Sequence, residues 1–66
     1  MDRKQLRLKL FEKDLNITSL SKAIGVNKDT FYRRLRNQGE KFTLGDLKKI
    51  VAVLELSNEE FCDIFL

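Results

Sequence analysis

The sequence predicts an all-α protein, a compact five-helix bundle formed by a single domain of residues 1–66. A local signature recurs five times: an apolar residue, then a capping residue, then a second apolar residue five positions after the first. This is the hydrophobic staple, in which the residue before the N-cap packs against the fourth residue of the helix. A chain of 66 residues is near the lower size at which a core alone holds a fold, and a hydrophobic content of 42% argues against disorder. Short helices are therefore the expected architecture.

The staples locate five helix starts. The N-caps are Asp2, Asn16, Asn27, Thr43 and Ser57. Three capping boxes are expected, closed by Gln5, Asp46 and Glu60 at the third helical position. The predicted helices are Arg3 to about Lys13, Ile17 to Ile24, Lys28 to about Arg36, Leu44 to about Glu55, and Asn58 to about Phe65.

Apolar residues at helical spacing predict the buried face of each helix. The first helix is expected to bury Leu6 and Leu10, with Phe11 at the edge of that stripe. The fourth helix has the broadest stripe and should contribute most to the core. The other expected core residues are Leu20, Ile24, Phe31, Leu35, Leu47, Ile50, Val51, Leu54, Phe61 and Ile64.

The stretch from Asn16 to Leu35 reads as two short helices joined at Gly25. A glycine there can take the left-handed conformation that ends a helix, and Asn27 then caps the next one. This is a helix-turn-helix pattern. Opposite the apolar stripe of the second of these helices lie Asp29, Tyr32, Arg33 and Arg36, with Lys28 at its start. A face so rich in cations and hydrogen-bonding groups suits contact with DNA, although a solvated basic helix on a purely structural bundle is the simpler alternative.

Charge is distributed unevenly along the chain. Residues 1–41 carry eleven Lys and Arg against five Asp and Glu, whereas residues 42–66 carry two against five. This polarity suits a polyanionic partner on the N-terminal side, or else it is an uneven solvated surface.

Several classes of function are excluded by composition. The chain has no His, so a zinc site or a His-based catalytic centre is not expected, and neither are an enzyme activity or a cofactor. The single Cys62 cannot form an internal disulfide and is expected to be a small buried or interface residue, with redox sensing as the alternative. The longest apolar run, Ile50 to Leu54, is too short for a membrane span, so a soluble cytoplasmic protein is expected.

The spacing of Leu20, Gly25, Val26, Phe31 and Leu35, followed by helix starts at Thr43 and Ser57, resembles the Cro/repressor-type (XRE-like) helix-turn-helix family of phage and bacterial transcription regulators. The resemblance covers essentially the whole chain and implies the lambda-repressor-like fold. In that family a small residue, usually alanine, follows the position of Leu20 and packs against the recognition helix, and Ser21 stands there in this chain.

The resemblance implies a set of DNA contacts. The base-contacting residues would be Lys28, Asp29, Thr30 and Arg33. The backbone-contacting residues would be Thr18, Ser19, Tyr32, Arg34, Arg36, Asn37 and Lys41. Arginine can bind guanine O6 and N7, aspartate can accept from cytosine N4, and threonine can meet a thymine methyl group. Asp29 could instead serve to orient Arg33, one turn further on.

Four residues have two open interpretations. Tyr32 either contacts the DNA backbone or caps the edge of the core, and Ile17 packs either beside the DNA or under the turn between the first two helices. Phe65 and Leu66 form a candidate dimerisation surface, because Phe61 and Ile64 are expected to fill the inward stripe of the last helix. The alternative is that Phe65 folds back onto the core beside Phe11.

The expected function is sequence-specific regulation of transcription by a small Cro-like repressor of phage or mobile-element origin. Such a protein binds a two-fold related double-stranded DNA operator as a homodimer. It needs no membrane and no small-molecule ligand. The rival is a helical protein-interaction module, such as an antirepressor or accessory subunit.

Overall fold

Five helices form in the part of the chain that the structure describes, as expected from the sequence. The computed structural model describes residues 1–37 and 42–66, and within them no strand occurs. The helices are α1 (Arg3–Glu12), α2 (Ile17–Ile24), α3 (Lys28–Arg36), α4 (Leu44–Leu54) and α5 (Asn58–Phe65). Only the ends of α1 and α4 differ from the prediction, each by one residue. None of the described helices is long and apolar enough to cross a membrane.

All five predicted N-caps accept a hydrogen bond from a backbone N–H in the first turn of their helix. The boxes at Thr43 and Ser57 form as expected, but no such box forms at Asp2. The N–H of Asp2 donates instead to the carbonyl oxygen of Ile64 at 2.6 Å, so Gln5 has no free donor to meet there. This bond joins the two ends of the chain.

Three helices end in the same kind of turn, in which one residue with positive φ is followed by an apolar residue and then by the next N-cap. The positive-φ residues are Asp14 (58°), Gly25 (77°) and Glu55 (53°). In each turn the apolar residue donates its N–H to a carbonyl five positions earlier, as in a Schellman motif; after Gly25 this is Val26 to Ser21, at 2.9 Å. Gly25 was expected from its type, whereas an acidic residue gives no signal for this conformation.

The core lies between two groups of helices, one formed by α2, α3 and α4 and the other by α1 and α5. Helix α2 packs on both α3 and α4, and α1 packs on α5. Phe31 is fully buried at the centre, and its ring meets the ring of Phe42 edge-on with centroids 5.1 Å apart. The buried core residues are Leu6, Leu10, Leu20, Ile24, Phe31, Leu35, Phe42, Ile50, Leu54, Leu56 and Ile64.

Three expectations about apolar residues were wrong. Phe11 is 86% exposed, because it lies 100° around α1 from Leu10 and beyond the edge of the buried stripe. Cys62 is exposed, since it lies almost opposite Ile64 on α5, so its expected burial is wrong while an interface position stays a prediction. Phe61 does not fill the core: it is half-buried and stacks on Phe65, with ring centroids 5.0 Å apart.

Phe65 and Leu66 have different environments. Phe65 is half-buried and packs against the core, although Phe11 is not part of that packing. Leu66 is 90% exposed. The expectation that at least one of the two remains at the surface is therefore confirmed for Leu66.

The turns lead to a prediction about stability. Asp14→Gly should stabilise the fold by about 0.5–1 kcal/mol, because glycine adopts a positive φ without the Cβ penalty. Gly25→Ala should destabilise it by about 1 kcal/mol. Nothing lies within 4 Å of a Cβ added at Gly25, so the cost arises from the backbone conformation alone. Thermal unfolding followed by circular dichroism measures both, since about 1 kcal/mol shifts the melting temperature by roughly 4–8 °C in so small a domain. A lower melting temperature for Asp14→Gly would show that this turn is not strained.

Candidate nucleic-acid interface

The α2–α3 unit is fixed locally at its start and at its turn. Asn16 and Ser19 form a capping box that the sequence reading did not foresee: the side chain of Asn16 accepts from the N–H of Ser19 at 2.8 Å, and the N–H of Asn16 donates to Ser19 Oγ at 3.0 Å. Ser21 is 1% exposed, and its hydroxyl donates to the carbonyl oxygen of Thr18 at 2.8 Å. Ser21 therefore provides a small side chain, with its hydroxyl hydrogen-bonded inside α2, at the position where the resemblance implies close packing against α3.

Helix α3 divides cleanly into a buried and an exposed face. Phe31 and Leu35 are buried, whereas Lys28, Asp29 and Arg33 are exposed. Asn27 caps the helix by accepting from the N–H of Asp29 at 2.8 Å. Thr30 is half-buried beside this outward face. The four residues expected to meet base edges therefore lie in the first two turns of one helix.

A groove between α2 and the start of α3 brings three of the predicted residues together. Thr18, Lys28 and Asp29 line it, along with Lys22 and Asn27. Sequence reasoning missed Lys22, although its exposed position in the last turn of α2, three residues before the turn at Gly25, was available as a signal. The groove joins the N-terminal half of α2 to the outward face of α3.

Ser19 and Asn37 take part in the helix ends. The hydroxyl of Ser19 lies 2.8 Å from the side-chain oxygen of Asn16, so it is already used in capping. Its phosphate contact remains a prediction, and the free backbone donors of the first turn of α2 are better placed for it. Asn37 is the C-cap of α3, and its N–H donates to the carbonyl oxygens of Arg33 and Arg34. Its side chain is exposed. Lys41, another predicted backbone contact, lies outside the described residues.

Arg34 has a structural position that differs from the one expected. Its guanidinium donates to the carboxylate of Asp46 at 2.8 Å and lies over the ring of Phe42, 5.9 Å from the centroid. Both partners of the ion pair are well covered, with side-chain exposures of 24% and 14%. Asp46 also accepts from the N–H of Thr43 in the capping box of α4. Arg34 therefore ties α3 to α4, and its contact with the DNA backbone stays a prediction.

A second groove lies on the other side of α3, against α1. Tyr32 and Arg36 of α3 line it together with Arg3 and Arg7 of α1. Ile17 also lines this groove and packs partly against the core, and a position beside the DNA backbone stays a prediction for it. Tyr32 is 43% exposed, so its ring both borders the core and reaches the surface.

Acidic residues near the C-terminus neutralise the far side of α1. Lys9 forms ion pairs with Glu60 and, at 3.1 Å, with Glu12, while Lys13 lies 3.4 Å from Glu55. The hydrogen bond from Lys9, with a second one from the backbone of Ser57, lowers the pKa of Glu60 from 4.5 to about 2. The hydrogen bonds that Lys9 donates to Glu60 and Glu12 raise the pKa of Lys9. Both groups therefore stay charged in mildly acidic solution, and the negative end of the molecule holds α1 to α5.

The local geometry is thus a helix-turn-helix with a polar, cationic outward face on its second helix. The sequence model of the Cro/C1-type HTH DNA-binding domain matches residues 5–65, which is nearly the whole chain. The chain belongs to this Cro/C1-type family. No curated protein and no solved structure matches the chain.

Membership of this family confirms the all-α helix-turn-helix fold and confirms DNA as the partner. A Cro/C1-type domain binds double-stranded DNA, and in this chain α2 and α3 are its helix-turn-helix. The second helix of such a motif is the one that lies in the major groove. In this Cro/C1-type domain that helix is α3, held from behind by Phe31 and Leu35.

Proposed function

We propose that this Cro/C1-type domain is a sequence-specific transcriptional regulator, a Cro-like repressor of phage or mobile-element origin acting in the cytoplasm on a DNA operator. One observation carries the proposal: α3 buries Phe31 and Leu35 and exposes Lys28, Asp29 and Arg33, and a groove joins the start of this exposed face to α2. A domain seated in the major groove excludes other proteins from the same DNA. Repression by occlusion then needs neither a catalytic group nor a cofactor.

Base readout is assigned to the outward face of α3. Arg33 would bind guanine O6 and N7, Asp29 would accept from cytosine N4, and Thr30 would meet a thymine methyl group. Lys28, at the first position of the helix, would reach an acceptor on a neighbouring base. Within residues 1–37 and 42–66 no ion pair joins Asp29 to Arg33, which favours direct readout by both side chains over the orienting role for Asp29.

Backbone contacts would position this face. Helix α2 directs its first-turn N–H groups, at Ile17 and Thr18, towards the phosphates, and a helix N-terminus attracts anions. The remaining proposed backbone contacts are Ser19, Tyr32, Arg34, Arg36, Asn37 and Lys41. Because phosphate contacts carry no sequence information, their loss should weaken binding to all duplexes alike.

The readout is tested by Arg33→Ala against Lys49→Ala. Both changes remove one exposed positive charge, but Lys49 lies on α4 and lines neither groove beside α3. After a preferred site has been selected from a randomised duplex pool, Arg33→Ala should cost about 1–3 kcal/mol on that site and relax preference at one position per half-site. Lys49→Ala should leave the preference unchanged. Equal losses on every sequence for Arg33→Ala would contradict base readout.

We also propose that the domain binds its operator as a homodimer. Two-fold related half-sites about one helical turn apart require two copies of α3 in successive major grooves. Leu66 is the candidate contact, because it is 90% exposed next to the half-buried Phe65 at the acidic end of the chain. An isologous contact there would pair the two copies.

Dimerisation through the C-terminus is tested by Leu66→Asp. The matched control is Leu44→Asp, which alters another exposed leucine, 69% accessible at the start of α4. Sedimentation should show that Leu66→Asp lowers the oligomeric mass and that operator binding then depends more steeply on protein concentration. The reverse result, dissociation by Leu44→Asp alone, would move the contact to α4.

A protein-interaction module remains the second candidate, and an apolar groove between α4 and α5 favours it. Leu44, Leu47, Val51 and Phe61 line that groove, away from α3. The two candidates differ in their response to salt. Binding that weakens steeply with salt on random duplex indicates the phosphate backbone, whereas salt-insensitive binding to a protein indicates the rival.

A further inference from the structure

The four cations of α1 and Lys13, which follows the helix, fall into different environments. Lys9 and Lys13 flank one side of the buried stripe and are paired with Glu60 and Glu55. Arg3 and Arg7 flank the other side, and in the described part of the chain no ion pair is formed by either. Lys4 is exposed and lines neither groove beside α3. Among the described residues, the acidic side chains thus pair with α1 only on the side that faces α5.

The two arginines share a groove with the DNA-facing helix. They lie four residues apart, one turn along α1, and the groove places them together with Arg36 and Tyr32 of α3. Its remaining lining is apolar: Leu6, Ile17 and Leu35. Cations four residues apart on a helix repel each other, and among residues 1–37 and 42–66 no carboxylate lines this groove to offset the repulsion. Three guanidinium groups around one apolar floor therefore form a site with an excess of positive charge.

We propose that Arg3, Arg7 and Arg36 form a phosphate clamp that grips the DNA backbone beside α3. This inference rests on the proposed function, because it requires α3 to lie in the major groove. The planar guanidinium group binds phosphate oxygens through two parallel hydrogen bonds, which makes arginine well suited to such a contact. Tyr32, in the same groove, would donate its hydroxyl to a phosphate oxygen.

The clamp adds affinity rather than specificity. The groove lies beside α3, not on the outward face that carries Asp29 and Arg33, so its arginines would meet the groove wall and not the base edges. Each neutralised phosphate contributes about 0.9 to the slope of log K against log salt concentration. The first helix would then be a second anchor for the domain, beyond the helix-turn-helix itself.

The test compares Arg3→Gln/Arg7→Gln with Lys48→Gln/Lys49→Gln, which removes the same charge from the exposed side of α4. The α1 variant should weaken binding to all duplexes by one common factor and reduce the salt slope by about 1.8, with the ranking of base sequences unchanged. The α4 variant should change the slope much less. Arg3→Lys/Arg7→Lys keeps both charges and should retain most of the slope. Circular dichroism of each variant confirms that the helices are intact.

DNA with uncharged linkages at chosen phosphates locates the contact between the arginines and the DNA backbone. Methylphosphonate linkages at the phosphates flanking each half-site should weaken DNA binding by the parent protein. They should have little further effect on DNA binding by Arg3→Gln/Arg7→Gln. The α1 variant Arg3→Gln/Arg7→Gln and the α4 variant Lys48→Gln/Lys49→Gln could have the same salt slope while the parent keeps its sequence preference. In that case the clamp is wrong and the proposed function stands. If the parent shows neither salt dependence nor sequence preference on duplex DNA, both are wrong. A loss in Arg3→Gln/Arg7→Gln that differs from one base sequence to another would also overturn the clamp, because it would indicate base readout.

Discussion

The burial of Phe31 is the constraint on which the rest of the structure depends. Phe31 is the fourth residue of α3, where it can pack on Val26 across the N-cap, and it is also the centre of the core with 0% exposure. Its ring meets Phe42, which leads into α4. A helix pinned at this residue cannot rotate about its axis without exposing the ring. The rotation of α3, and with it the direction of Asp29 and Arg33, is therefore set by core packing.

Contacts on either side of α3 complete this arrangement. Arg34 lies on one flank and is held by Asp46 and Phe42. Tyr32 and Arg36 lie on the other flank, against Arg3 and Arg7. Of the cations that α3 carries, one serves the fold and the others face outward. The arginines of this short helix thus have two roles, holding α3 to α4 and facing the DNA. The position of each arginine around the helix axis decides which role it has.

The sequence predicted the helices and the outward face of α3 because both depend on local spacing. Caps, staples and apolar stripes involve residues within five positions of each other, so they could be read directly. The turns at Asp14 and Glu55 could not, since only a few per cent of non-glycine residues adopt a positive φ, even though aspartate does so more often than most. The position of Arg34 also could not be predicted, because its partner Asp46 lies twelve residues away on another helix.

Long-range contacts account for the remaining differences. The bond between Asp2 and Ile64 replaces a predicted capping box, and it exists only because the two ends of the chain meet. The groove that brings Arg3 and Arg7 beside Arg36 likewise depends on how α1 crosses α3. The spacing of the two arginines on one side of α1 was visible in the sequence, but the helix that faces them was not.

The most direct test of the account is the change in backbone amide chemical shifts when the preferred duplex is added to the ¹⁵N-labelled protein. The account predicts that the affected amides cluster at the start of α2, along α3 and in the first half of α1. Amides of α4 and α5 around Leu44 and Phe61 should change little. Shifts centred on the groove between α4 and α5, with α3 unaffected, would contradict the claim that the outward face of α3 binds DNA.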